Sequence, residues 1–303
     1  MKRLIFFLSL ILIVNLACDV SVNLAPSNEV ATAAETPVLR DPSTPTPEVF
    51  ISLTQAVPAT AIIQPSLSAN TLVTIGRLTL EIPSSVADGA SGSDIPRADE
   101  QDLPTWGKTP GHTEIKLEGY TLQGKFHEPR IYVYPSLDYA TLVPAAFESM
   151  HRLRNIMNPG APITSDRLPN VPFFNATQVF ASNLQSITFQ NGSGFRFLAE
   201  YAQYFAPVNN NELVYHFQGF SADGEYYIIA ILPITAPALA ETSDVEAVVP
   251  AGGIAFPDIA NPVVDVQTYY ASITDLLNAT DPEAFTPPIS QLDALIQSMW
   301  VAP

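Results

Sequence analysis

Cysteine and basic residues are scarce in this chain. A single Cys among 303 residues excludes an internal disulfide framework and a metal site built from several thiolates. Lys and Arg number 13 against 30 Asp and Glu, which gives a formal net charge of −17, and no Lys or Arg follows Arg196. Because nucleic-acid binding needs a concentrated patch of Lys and Arg, this balance argues against nucleic acid as a partner.

Long apolar runs are also missing. The apolar run Leu4–Val14 covers eleven residues, which as a helix rise only about 16 Å, roughly half of the hydrocarbon core of a bilayer. A permanent membrane-spanning helix is therefore not expected. Hydrophobic residues nevertheless make up 47% of the chain, which is enough for a sizeable core and excludes disorder of the whole chain.

Common catalytic signatures are absent from the sequence. Gly192-Ser193-Gly194 lacks the spacing of a nucleophile elbow, and Gly107-Lys108-Thr109 lacks the upstream glycine of a phosphate-binding loop. The four histidines are not paired at the spacings that zinc motifs use. We therefore predict no cofactor and no metal motif, and leave open whether the protein catalyses a reaction.

The amino terminus has the pattern of a secretory signal peptide. Two basic residues precede the apolar run, and small residues follow it up to Cys18. A cysteine directly after this region resembles the lipobox of bacterial lipoproteins, in which the thiol is diacylglycerylated and becomes the new N-terminus. Asn15 stands where the lipobox usually has Leu, and an ordinary signal-peptidase cut nearby is the alternative. We expect residues 1–17 to be removed and Cys18 to be lipidated.

A diacylglyceryl cysteine predicts where the protein is located. Two acyl chains, at about 0.8 kcal/mol per buried CH₂, anchor a protein stably in a membrane. The acidic body is repelled by anionic lipid, so attachment depends on the lipid alone. The expected location is the cell membrane, on its extracytoplasmic face.

Composition changes sharply at Cys18. Residues 18–71 are rich in Pro, Thr, Ser and Ala, with four prolines between Thr36 and Phe50. Each proline fixes φ and removes a hydrogen-bond donor, so neither a helix nor a central strand runs through. The segment is predicted to be an extended, semi-rigid linker. Residues 72–303 are predicted to form a single globular domain.

This domain is predicted to have an α+β fold, in which an antiparallel sheet of about four to six strands packs with about three helices. Asn191-Gly192-Ser193 is a hairpin signal within a meander of four strands. The fourth strand, 225–232, is apolar on both faces, which predicts a central position. Strands are predicted at 76–82, 113–122, 130–134, 185–190, 194–204, 212–220 and 225–232. Helices are predicted at 137–157, 263–279 and 289–299, and a long surface loop at 83–111.

Four residues near the middle of the chain are candidates for ligand binding. Arg196 and Glu200 share one face of a predicted strand, and a covered charge there needs a partner. A local cross-strand ion pair is the structural alternative for these two. His216 alternates with aromatic residues in the next strand, where a satisfied core histidine is the alternative. Tyr201 belongs to a dense aromatic region, which can build core or line a cleft for a peptide, a sugar or an apolar ligand.

Acidic residues in the predicted loop form a second candidate site. The candidates for a cation are Asp94, Asp99, Glu100 and Asp102. Their spacing does not match a calcium-binding EF-hand loop. A solvated acidic surface is the alternative.

Two segments resemble an uncharacterised family of bacterial lipoproteins. They are NGSGFRFLAEYAQ (191–203) and NNNELVYHFQGFSADGEYYI (209–228). The resemblance covers roughly residues 72–303 and implies a signal peptide, a Pro/Thr-rich tether and an α+β domain, but no catalytic residue. The order of strands and helices is also similar to small α/β/α sandwich domains of the PsbP/Mog1 type. A fold of this kind does not determine function.

The sequence favours an exported, lipid-anchored, non-catalytic binding or accessory protein whose partner is an envelope protein or a small ligand. One alternative is an extracytoplasmic hydrolase that uses carboxylates such as Glu200 and Glu225, which would need to lie about 5–10 Å apart. Another is a lipoprotein that captures a solute for a transporter, for which two lobes with separate sheets are expected.

Overall fold

The computed structural model describes residues 70–158, 160, 163–164, 167–170, 174–258 and 265–303. The predicted α+β fold is confirmed, with four α-helices and two antiparallel sheets among these residues. The sheets have seven and three strands, slightly more than predicted. The predicted signal peptide, the lipidated Cys18 and the linker up to residue 69 lie outside the described residues.

The elements follow the chain in this order. The strands are β1 (Thr71–Ile75), β2 (Leu78–Ile82), β3 (Gly89–Ile95), β4 (His112–Glu118), β5 (Arg130–Pro135), β6 (Thr177–Phe189), β7 (Gly192–Ala202), β8 (Val214–Ser221), β9 (Tyr226–Pro233) and β10 (Trp300–Val301). The helices are α1 (Ser136–Leu142), α2 (Pro144–Ile156), α3 (Val266–Ala279) and α4 (Ile289–Gln297).

The large sheet has the strand order β3-β4-β5-β9-β8-β7-β6, and all neighbours are antiparallel. Strand β9 lies in the middle, as its uninterrupted apolar sequence predicted. Its odd-numbered residues from Tyr227 to Ile231 belong to one buried cluster, and its even-numbered residues from Ile228 to Leu232 belong to another. Since side chains alternate along a strand, both faces of this sheet are covered.

Different elements cover the two faces. Helices α1 and α2 pack on the face that carries Tyr227, whereas α3, α4 and the small sheet pack on the face that carries Ile228. Both sheets therefore contribute to one buried cluster. Within the described part of the chain, no helix has the length and apolar character needed to cross a bilayer.

The small sheet, with strand order β1-β2-β10, brings together residues that are far apart in sequence. Trp300 and Val301 pair with β2, and the backbone N–H of Glu81 donates to Ser298 Oγ at 2.9 Å, 217 residues away. Asn191, in the β6–β7 turn, also bonds Val301. Its Nδ2 donates to the Val301 carbonyl at 2.6 Å, and its Oδ1 accepts from the Val301 N–H at 2.9 Å.

Three predicted elements differ from the structure. The region predicted as a loop, 83–111, contains β3, an edge strand rich in Gly and Ser whose largely exposed residues show no apolar alternation. The predicted helix 137–157 is divided, because Pro144 has no N–H to donate and instead begins α2. Strand β6 begins at Thr177 instead of residue 185, and two register shifts interrupt its periodicity.

Candidate functional site

The four predicted binding residues lie on two opposite faces of the large sheet. Arg196 and Glu200 project from β7 toward α4 and α3, whereas Tyr201 and His216 lie on the face that α1 and α2 cover. All four are buried, with 5% exposure or less. The four residues therefore do not form one site.

Arg196 belongs to a hydrogen-bonded network beneath α4. Its Nε and Nη2 donate to the two carboxylate oxygens of Asp293 at 3.2 and 3.3 Å. Nη2 also donates to Gln185 Oε1 at 2.7 Å, and Nη1 donates to the carbonyl of Asn183. The hydroxyl of Tyr215 donates to Asp293 Oδ1 at 2.8 Å. The ion pair thus joins a strand to a helix instead of crossing between strands, and the guanidinium is engaged by the fold.

Glu200 binds the backbone of the loop between β7 and β8. Its Oε2 accepts from the backbone N–H of Asn209 at 2.9 Å and from Asn209 Nδ2 at 3.3 Å, while Oε1 has no partner among the described residues. Burial raises the pKa of this carboxyl well above its usual value, the Asn209 N–H opposes the shift, and the charge of Glu212 adds to it. Tyr269 and Tyr270 of α3 bond the backbone of the same loop. Glu200 is therefore a structural residue.

His216 and Tyr201 form part of a buried chain of hydrogen bonds. The hydroxyl of Tyr227 donates to Gln218 Oε1, and Gln218 Nε2 lies 2.7 Å from His216 Nε2. Since an amide nitrogen can only donate, His216 Nε2 must accept, and the network assigns the ring proton to Nδ1. That Nδ1–H donates to Tyr201 Oη at 2.6 Å. The hydroxyl proton of Tyr201 is therefore left for another acceptor.

Tyr201 borders an open cleft of about 360 Å³, which we call the aromatic cleft. Its main lining residues are Phe126, His127, Phe174, Tyr201, Tyr204 and Glu212. The Phe174 ring contacts those of His127 and Tyr201, with centroids 5.1 and 4.7 Å apart. Phe126 and Tyr204 are 66% and 67% exposed. This volume falls within the range of known small-molecule sites.

His127 brings a second polar group to the aromatic cleft. Its Nε2 is buried and has no hydrogen-bond partner among the described residues. Burial lowers the pKa of His127 to about 4, so the imidazole is neutral at physiological pH. Buried polar atoms are nearly always paired, so His127 Nε2 is an exception, and its burial keeps it out of contact with a ligand in the cleft.

A second cleft, of about 550 Å³, adjoins the first and contacts α3. We call it the α3 cleft, and its lining includes Thr177, Gln178, Gln203, Tyr204, Gln267 and Tyr270. The two clefts share Ala202, Gln203 and Tyr204. Together they surround the end of the β6–β7 hairpin that lies opposite the turn.

No protein-family model matches the chain, and no match was found among curated proteins or solved structures. The site therefore has to be judged from its own geometry.

The predicted cation ligands do not converge. Asp94 accepts a hydrogen bond from Thr113 Oγ1 at 3.0 Å, and Asp99 pairs with Arg97 at 2.6 Å. The other two candidates, Glu100 and Asp102, are exposed in the loop between β3 and β4. In the described ranges, no group of three or more His, Cys, Asp or Glu side chains is placed to hold a metal ion.

The two carboxylates of the hydrolase hypothesis also lie apart. Glu225 is exposed in the turn before β9, at the level where Phe220 of β8 pairs with Tyr227 of β9. Glu200 lies near the other end of β8, one residue beyond Ala199, which pairs with Val214. The six residue steps along β8 from Val214 to Phe220 span about 20 Å. This separation exceeds the distance between a pair of catalytic carboxylates in a glycosidase.

Sequence reasoning missed most of the aromatic cleft. Phe126 and His127 come from a loop without periodicity, and Phe174 from another irregular segment. The one available signal was the dense aromatic region around Tyr201, which led to Tyr201 itself. Nothing in the sequence distinguishes the exposed ring of Tyr204 from the core aromatics beside it.

Proposed function

We propose that this chain is an exported, lipid-anchored extracytoplasmic protein whose folded domain is a non-catalytic binding module. The observation that supports binding is the aromatic cleft, where the exposed rings of Phe126 and Tyr204 lie beside the exposed amides of Asn175 and Gln203. A cleft with apolar walls and a few polar groups is a typical ligand site.

The hydrogen bonds around His216 favour binding over catalysis. A general base must accept a proton from the group that it activates. His216 Nδ1 already carries a proton and donates it to Tyr201, and His216 Nε2 is occupied by Gln218. The pair therefore belongs to a buried hydrogen-bond network and does not activate the Tyr201 hydroxyl as a nucleophile.

Thermal unfolding of the full chain in detergent tests the binding proposal. Calcium, EDTA, oligosaccharides, peptides and lipids are added separately, because a ligand that binds only the folded state raises the midpoint. The parent is compared with Phe126→Ala, which alters the cleft, and with the control Phe147→Ala, which removes an exposed ring from α2. A shift that Phe126→Ala abolishes and Phe147→Ala retains supports the proposal. If no shift depends on Phe126, the cleft is not a binding site.

The anchor is proposed from the sequence around Cys18 and has its own test. The full chain and Cys18→Ser are expressed in a bacterium fed radiolabelled palmitate, and the membranes are separated from soluble material. We expect label and membrane location for the parent and neither for Cys18→Ser. Equal labelling of the two chains contradicts lipidation at Cys18.

A further inference from the structure

The aromatic cleft differs in charge from the rest of the protein. The chain carries a formal net charge of −17, yet Glu212 is the one charged residue among the described residues that line either the aromatic cleft or the α3 cleft. The described lining of both clefts contains no Lys or Arg, so a phosphate or carboxylate ligand has no partner there for its charge. The surroundings favour an uncharged ligand.

The exposed polar side chains of the aromatic cleft suit a ligand that both donates and accepts hydrogen bonds. Asn175 and Gln203 line this cleft and are exposed. Each amide carries two N–H donors and a carbonyl acceptor. Neighbouring hydroxyl groups of a ligand can bond such amides in either direction.

The exposed rings suit a flat ligand with polarised C–H bonds. Phe126 and Tyr204 each leave about two thirds of their surface open to solvent. The face of an aromatic ring is electron-rich, and the C–H groups on one face of a pyranose carry the complementary partial charge. In the α3 cleft, the amides of Gln178, Gln203 and Gln267 add further groups that donate and accept.

We propose, building on the binding function proposed above, that the ligand is a neutral oligosaccharide. One sugar ring stacks on the exposed rings of the aromatic cleft and bonds the amides of Asn175 and Gln203, and the chain continues past Tyr204 toward the α3 cleft. A peptide that added to the edge of β6 as a further strand is disfavoured, because register shifts at Gln178/Phe180 and Ser182/Gln185 interrupt that edge.

Isothermal titration calorimetry of the full chain in detergent tests this proposal. The neutral probes are cellotetraose, maltotetraose, mannotetraose and tetra-N-acetylchitotetraose. The comparison probes are tetragalacturonic acid, tetra-alanine and a proline-rich decapeptide. We expect at least one neutral probe to bind, with little dependence on salt, and tetragalacturonic acid not to bind.

Four variants connect binding to the cleft. Phe126→Ala and Tyr204→Ala each remove an exposed ring and are expected to weaken binding at least tenfold without changing the unfolding temperature. Gln203→Ala removes an exposed amide that lines both clefts, and a loss of about tenfold is expected. The control Phe147→Ala is expected to bind like the parent.

The outcomes separate the carbohydrate proposal from the binding proposal. If a peptide binds and Phe126→Ala weakens it, while no neutral oligosaccharide binds, the domain is a binding module and the carbohydrate assignment is wrong. If an oligosaccharide binds equally well to all four variants, it binds elsewhere and the assignment to this cleft is overturned. If no probe binds in a way that depends on Phe126, neither proposal survives.

Discussion

Removing the carboxylate of Asp293 tests how strongly the buried network ties α4 to the large sheet. Asp293→Ala leaves the Arg196 guanidinium covered, with two uncharged partners, and leaves the Tyr215 hydroxyl without its acceptor. Removing one partner of a buried ion pair costs about 3–5 kcal/mol. The Asp293 side chain is 15% exposed, so water partly screens the Arg196–Asp293 ion pair. We therefore expect a loss near the lower end, about 3 kcal/mol.

Urea unfolding of the full chain, followed by circular dichroism, measures this loss. For a domain of this size the slope is about 2–3 kcal/mol per molar urea, so the midpoint is expected to fall by about 1 M. The control is Asp275→Ala, which removes an exposed carboxylate from α3 and is expected to change stability by less than about 0.5 kcal/mol. Comparing these two variants distinguishes the loss of the buried network from the general effect of removing one negative charge.

The double variant Arg196→Met/Asp293→Leu provides a second check. Replacing a whole buried ion pair with apolar side chains is often neutral, because both desolvation costs disappear together. We expect the double variant to regain most of the stability that Asp293→Ala loses. A loss below about 1 kcal/mol for Asp293→Ala, or a double variant less stable than the single one, would refute the reasoning.

Three further predictions follow from burial and close packing. Burial raises the pKa of Glu200 in the folded protein, whereas in the unfolded chain the pKa is about 4.3. Ionisation of Glu200 therefore lowers the free energy of unfolding as the pH rises above about 4.3. Glu200→Gln is expected to lose less stability than the parent between pH 5 and 9 in urea titrations. Burial lowers the pKa of His127 from about 6.5 in the unfolded chain to about 4 in the folded protein. Between these two values only the unfolded chain takes up the proton, so stability falls by up to about 3 kcal/mol as the pH drops from about 6.5 to 4. His127→Gln is expected to remove this part of the pH dependence. A Cβ on Gly194 would lie 2.2 Å from the Gln218 carbonyl oxygen, so Gly194→Ala is expected to lower the free energy of unfolding by about 1–3 kcal/mol. In the control Gly89→Ala the new Cβ meets no atom within 4 Å, and a smaller loss is expected in the same urea assay.

The parts of the fold that the sequence predicted are those in which burial imposes a pattern. Strand β9 is covered on both faces, so its residues are apolar without interruption, and its central place was predictable. Strand β3 is an edge strand whose residues are mostly exposed, and Gly and Ser there carry no periodic signal. Two register shifts hide the alternation in the first half of β6 in the same way.

The candidate site was predictable only where it coincides with the sheet. Arg196, Glu200 and His216 were found because strand alternation gives each a face, and Tyr201 because it lies among many aromatic residues. The alternation correctly paired Arg196 with Glu200 on one face. It could not predict that Asp293 approaches Arg196 from α4, since that contact spans 97 residues. The loop residues Phe126 and His127 meet Tyr201 only through tertiary packing, which leaves no trace in local sequence.

The pairing of β2 with β10 constrains the order in which the chain can fold. When the chain emerges from a ribosome or a translocation channel, β1 and β2 appear long before β10. The Glu81–Ser298 hydrogen bond cannot form until Ser298 appears, 217 residues after Glu81. Closing so long a loop costs only a little more free energy than closing a short one, but contacts of this range form slowly. During that interval the inner face of the β1–β2 hairpin, with Leu78, Leu80 and Ile82, lacks the cover that α4 and β10 give it in the folded domain. Apolar strands exposed in this way during folding are prone to aggregate.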